Sequence, residues 1–160
     1  MQLTFSLGCA IGDAATMTKD ELLGTWQIVS FKAVADDKTS YPLGEHPSGY
    51  IGFSPSRFWT MLVDSTRKPP VATSLTDVEA VSLMRSSAAY TGKYDSDPVQ
   101  TADGIKITIH VDTASNQAWV GTDRIFFMRI DGNKLSLKSP SVVIPSGATS
   151  VVQLEFVRAD

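Results

Sequence analysis

The chain holds a single cysteine, Cys9, and two histidines, His46 and His110, among 160 residues. One thiol excludes a disulfide framework and a multi-cysteine zinc site. No HxH, HExxH or CxxC spacing occurs, so no metal is expected, and no other cofactor is implied. Cations are scattered: fourteen Lys and Arg stand against seventeen Asp and Glu, a net charge of −3 with no basic run. That distribution excludes an electrostatic footprint for nucleic acid. No apolar stretch approaches the roughly 18 residues of a membrane span. A P-loop, a GxGxxG turn and a GxSxG elbow are also missing, and with them the phosphate, dinucleotide and serine-hydrolase chemistries those motifs serve.

What is present is an ordinary globular composition, 42% hydrophobic and 9% aromatic. A single domain typically runs to roughly 100–200 residues. At this length a chain buries about 70% of its unfolded surface and folds without covalent or metal staples. Residues 1–16 contain no Lys or Arg and so lack the basic start of a secretory signal. Met17-Thr-Lys-Asp-Glu then opens like a second start. The expected organisation is an N-terminal tail or extra edge segment over 1–16 and one domain over 17–160. The expected compartment is the cytoplasm, with a signal peptide as the weaker alternative. Cys9 has apolar neighbours and no nearby cation, an environment that does not favour a reactive thiolate.

Period-two patterning dominates the rest. Residues 22–35 alternate, with Trp26, Ile28 and Ser30 on one face and Gln27, Val29 and Phe31 on the other. Residues 49–53 and 58–64 form two aromatic-rich strands around a Ser-Pro-Ser-Arg turn. Residues 89–95 make another strand, which Asp97-Pro98 should end. Residues 105–113 alternate most cleanly: Ile105, Ile107, Ile109 and Val111 against Lys106, Thr108, His110 and Asp112. Residues 118–130 read as one long strand, Asp131-Gly132-Asn133 as a hairpin turn, and 135–138 and 151–158 as the last strands. The exception is 76–87, a helix. Thr76 and Glu79 fit a capping box, and Val78, Val81 and Met84 form an apolar stripe expected to pack on or across the sheet.

Eight strands joined by turns, with no βαβ alternation, disfavour a parallel sheet. They point to an all-β fold: an eight-stranded antiparallel up-and-down barrel with one short helix, which hides its edges by closing. A two-sheet sandwich is the alternative. Such a barrel is either filled by side chains or holds one small ligand.

Gly24-Thr25-Trp26 opens the first strand with a G-x-W pattern. It is followed by YPLGEHPSGYIGFS, AAYTGKYDSD, ITIHVDTASNQAWVGTDRIFFMRIDGNKLSL and VVQLEFVR. Together these segments, spanning residues 22–158, resemble the small bacterial and fungal lipocalin-like domain proteins. The resemblance implies an eight-stranded barrel around a small-molecule cavity. It implies no particular reaction, because such barrels host carriers and enzymes alike. Some fungal relatives resemble proteins that act beside polyketide or terpenoid pathways as cofactor-free cyclases or isomerases. The chain departs from the family at His46, where relatives carry an acid, and at Ser115-Asn116-Gln117-Ala118 before Trp119, where relatives often have a proline.

Chemistry in such a pocket must come from scattered side chains. His110 has two readings: solvent-facing, or an inward general base held in one tautomer by a neighbouring carboxylate. Arg124 falls on a strand face with Val120, Thr122, Phe126 and Met128, where a buried guanidinium would hold a carboxylate or enolate oxygen. Asp123 and Arg129 on the opposite face read as a surface pair. Tyr90 and Tyr94 are four apart on one face, and Tyr94 is the third candidate catalytic residue. Tyr50, Trp59, Met61, Tyr90, Trp119 and Phe126 are the candidate ligand-binding residues, and Trp26 the plug of one barrel end.

Two functions follow. One is a cofactor-independent enzyme, an isomerase or cyclase acting on an apolar oxygenated metabolite such as a polyketide or terpenoid intermediate, with His110, Arg124 and Tyr94 doing the chemistry. The other is a carrier of a hydrophobic small molecule. Neither calls for nucleic acid or a membrane span, and both leave a homodimer open.

Overall fold

The computed structural model describes residues 17–143 and 148–160. The readings of residues 1–16, Cys9 among them, lie outside these. The strands are β1 (Gly24–Ala35), β2 (Lys38–Ser40), β3 (Pro47–Phe53), β4 (Arg57–Asp64), β5 (Ser87–Thr101), β6 (Gly104–Ala114), β7 (Asp123–Asp131), β8 (Lys134–Lys138), β9 (Val142–Val143) and β10 (Thr149–Arg158). Their neighbours run in the order β2-β1-β3-β4-β5-β6-β7-β8-β10-β9, and β1 also pairs with β10. That last pairing closes eight antiparallel strands into a barrel, with β2 and β9 as short additions outside the ring.

Up-and-down order puts alternate connections at opposite ends. The turns at 54–56, 102–103 and 132–133 gather at one end. The longer links that follow β1, β4, β6 and β8 gather at the other. The short-turn end is plugged. Trp26 is fully buried there, and its indole Nε1 donates to the Leu22 carbonyl at 2.9 Å, so the ring is hidden without stranding its N–H. Arg158 lies over that indole at 4.0 Å and donates to the Leu23 and Glu21 carbonyls at 2.9 and 2.7 Å. It thereby ties the last strand to helix α1 (Lys19–Leu22).

Two bulges decide which side chains face in. Between Ile28 and Ser30, β1 carries one residue more than β10. The extra residue resets the alternation, so Val29 is solvent-exposed and Phe31 turns inward instead of sharing the face of Gln27. In β6, Gly92 pairs with Val111 but Thr91 pairs with Thr113. Asp112 is the extra residue, and it meets Arg57 through two hydrogen bonds of 3.0 and 2.8 Å on the outer surface.

Three expectations change. Pro98 does not end β5, because a bulge between Ser96 and Gln100 absorbs it and the strand continues to Thr101. Residues 118–122 are not strand. Asn116 accepts from the Ala118 amide at 3.0 Å and nucleates a 3-10 turn at Gln117–Trp119, so Val120 and Thr122 do not share a strand face with Arg124. Helix α2 (Asp77–Arg85) forms with its Thr76–Glu79 capping box, yet buries no residue, and Val78 is 80% exposed. The eight-stranded ring closes through β1 and β10, so the barrel core forms without the helix. Among the described residues no helix is long and apolar enough to cross a membrane.

Candidate functional site

The open end of the barrel leads into a cavity of about 440 Å³. That volume is in the range of small-molecule pockets, roughly 300–1,000 Å³. Its walls are mostly apolar, with Phe31, Leu62, Phe126, Leu137, Leu154 and Phe156 among the inward side chains. A second hollow of about 550 Å³ beside β1, β7, β8 and β10 mixes Arg129, Asp131, Lys134 and Glu155 with Met128, Ile130 and Leu135.

A polar stripe crosses the apolar wall. Thr60 on β4 and Tyr90 on β5 are direct cross-strand partners, and both line the cavity. The Tyr90 ring is tilted on Phe58 at 5.6 Å and meets Trp119 edge-on at 5.9 Å. Burial pushes the Tyr90 hydroxyl up to about 12 against the opposing pull of the Arg124 charge, so at neutral pH it is a neutral donor and not a base. Trp119 is delivered to the mouth by the 3-10 turn. Thr122 Oγ1 donates to the Trp119 carbonyl at 2.7 Å, and Gly121 takes the left-handed backbone (φ +79°) that turns the chain into β7. Arg124 then rises from β7, its guanidinium carbon 4.9 Å from the centroid of a Trp119 ring.

Two buried side-chain atoms have no hydrogen-bond partner among the described residues: Thr60 Oγ1 and Arg124 Nε. Both belong to the wall of this one cavity. Buried polar groups are normally satisfied, and the polar face this wall offers to a ligand is therefore the rest of the Arg124 guanidinium and the Tyr90 hydroxyl.

The candidate residues divide three ways. Arg124, Tyr90, Trp119 and Phe126 come together around the cavity. Tyr94 is inward but belongs to the plugged end: it is 3% exposed, donates to the Ser54 carbonyl at 2.8 Å and stacks edge-on with Phe53 at 5.3 Å. Tyr50, Trp59 and Met61 stand on the outer surface, each 41–49% exposed. Trp59 lies over Gly52, where an added Cβ would fall 2.3 Å from the indole. The glycine is a seat for the outer ring.

His110 also faces out, opposite to its inward neighbours Ile109 and Val111. Its Nδ1 is 2.7 Å from Asp123 Oδ1 and its Nε2 is 2.9 Å from Asp95 Oδ2. Hydrogen bonds to Asp95 and Asp123 hold the imidazole pKa above its usual value, in the direction of the charged form. The inward general base is therefore replaced by an outer-surface imidazole held between two carboxylates. Asp123 takes His110 and not Arg129 as its outward partner. Pattern reasoning passed over Thr60 and Phe31. Thr60 was marked by sitting on the same strand face as Phe58 and Leu62, while Phe31 faces in only because of a bulge that alternation cannot show.

A family model described as a lipocalin-like domain matches residues 23–157. No curated protein and no solved structure matches the chain.

Proposed function

The chain belongs to the lipocalin-like domain family, and from that premise we propose that it takes up an apolar, oxygen-bearing small molecule through the open end of the barrel. The observation that carries this reading is the apolar cavity of about 440 Å³ with Tyr90 and Arg124 among its lining residues. Apolar burial supplies the affinity, and a few placed polar groups set the orientation. The aromatic side chains Phe31, Phe126 and Trp119 fit flat ring systems, while Tyr90 offers a hydroxyl donor.

The test is titration with N-phenyl-1-naphthylamine, a neutral fluorophore that brightens in apolar surroundings. Saturable binding is expected. Ala88→Phe, which fills the cavity wall, should weaken it at least tenfold while the far-ultraviolet circular dichroism stays that of the parent. Absence of saturable uptake by the parent protein would reject the reading.

A second reading is catalysis, favoured by the shared wall position of Arg124 and Tyr90. Two donors aimed at one oxygen would stabilise negative charge developing on an enolate or alkoxide, and a dry pocket would fold the substrate for an isomerisation or cyclisation. Polyketide- or terpenoid-like intermediates have the required apolar skeleton and oxygen functions. Mass spectrometry of such a ligand after incubation separates the readings: recovery unchanged supports a carrier, and a protein-dependent isomer supports an enzyme.

A further inference from the structure

We infer that the ligand of this cavity is an organic acid, an apolar ring-bearing body whose single anionic group seats against Arg124. The inference rests on the small-molecule reading above and adds the charge of what is bound.

The argument starts from the guanidinium. Arg124 is partly buried, and its Nε is buried outright with no acceptor. Removing a charge from water is costly unless a counter-charge and hydrogen bonds replace the lost hydration. None of the ion pairs among the described residues involves Arg124. The acid nearest in sequence, Asp123, borders the same cavity, but its side chain leaves the other face of β7. Its carboxylate is engaged outside with His110 at 2.7 Å. Trp119 holds the guanidinium through its π face, which fixes position without neutralising charge. What remains is a positioned cation at the cavity wall whose guanidinium meets no carboxylate among the described residues.

The geometry of the group selects the partner. A guanidinium presents a planar fork of donors that matches a carboxylate, or a similarly flat acidic oxygen group, through two parallel hydrogen bonds. A second anionic group on the ligand would have no cation to meet, since Arg124 is the one Lys or Arg among the cavity-lining residues described. That argues against nucleotides and other polyanions. The surrounding Phe126, Trp119, Val152 and Leu154 favour an apolar remainder.

The experiment uses a matched pair of probes on the full chain. 1-Anilinonaphthalene-8-sulfonate and N-phenyl-1-naphthylamine share an aromatic frame, but only the first carries an anion. The parent should bind the sulfonate at least tenfold more tightly. Arg124→Met should remove that preference, weakening the anionic probe at least tenfold more than the neutral one. Arg124→Met should also melt no lower than the parent without ligand, because an uncompensated cation is removed. Equal binding of the two probes by the parent, or an unchanged preference in Arg124→Met, overturns the acid-ligand inference and leaves small-molecule binding standing. Failure of both probes to bind the parent overturns both.

Discussion

The guanidinium carbon of Arg124 lies 4.9 Å from the centroid of a Trp119 ring, so a cation and an indole share one side of the cavity mouth. The chain has three tryptophans. Trp26 is buried in the plug and Trp59 stands on the outer surface. Trp119 is thus placed to report on occupancy. Binding of an aromatic acid should change intrinsic fluorescence in the parent and in Trp59→Phe. The change should be lost in Trp119→Phe. A change that persists there would mean the ligand sits elsewhere.

His110 bridges strands β5, β6 and β7 through Asp95 and Asp123, with Lys93 as its cross-strand neighbour on β5. Its pKa is raised in the folded state, chiefly by the hydrogen bonds to the two carboxylates. A raised folded pKa means that the stabilisation is fully present below the unfolded value, about 6.5, and is lost as pH rises through the folded value. The difference in urea midpoint between the parent and His110→Asn should therefore be largest in mild acid and shrink as the solution is made alkaline. Because the site is solvent-exposed, the effect should be small. Imidazole proton shifts followed by NMR should titrate above the ordinary histidine range, and probe binding in the cavity should be the same in both proteins.

Thr60 Oγ1 is buried without a partner among the described residues. Thr60→Val keeps the shape and removes the unsatisfied hydroxyl, so the ligand-free protein should gain on the order of 1 kcal/mol in chemical denaturation. A loss of that size would show that the hydroxyl has a partner, such as an ordered water.

Tyr90 and Tyr94 face the same way and should behave differently. Tyr94→Phe removes the hydrogen bond to the Ser54 carbonyl and should cost about 1 kcal/mol of stability while leaving probe affinity unchanged. Tyr90→Phe alters the cavity wall, so its effect should appear in affinity for oxygen-bearing probes. Equal effects of the two on binding would contradict the separation of plug from cavity.

Trp26 is fully buried, and its indole is bonded to Leu22 and covered by Arg158. Trp26→Ala should cost roughly 3–5 kcal/mol, as large aromatic truncations in cores do. Should that variant fail to fold, Arg158→Ala offers a milder measurement. It removes the cover and two hydrogen bonds, and it should lower the melting temperature without touching the cavity.

Much of the ring was legible because alternation survives wherever one face is buried. Ile105, Ile107, Ile109 and Val111 read as one face, which the barrel turns inward, and the Thr76–Glu79 capping box marked helix α2. The site was legible only in part. Arg124 and Phe126 were paired by simple parity along β7. Tyr50, Trp59 and Met61 misled, because β3 and β4 are apolar on both faces and period two names two faces without saying which is inside. Aromatic bulk was taken as a sign of a pocket, whereas Trp59 serves to cover the Cβ-less Gly52 from outside.

The amino-acid order by itself determined the strand count around the ring, the turns and the G-x-W plug, since each depends on neighbours a few residues apart. Only the tertiary structure decided which face of β4 looks inward, that Phe31 rotates into the cavity, and that His110 spends its two nitrogens on surface carboxylates while Arg124 is left facing the interior without one. Those outcomes depend on bulges and on the closing of β1 against β10. One extra residue in a strand inverts every side chain beyond it, and only the partner strand shows where the extra residue falls.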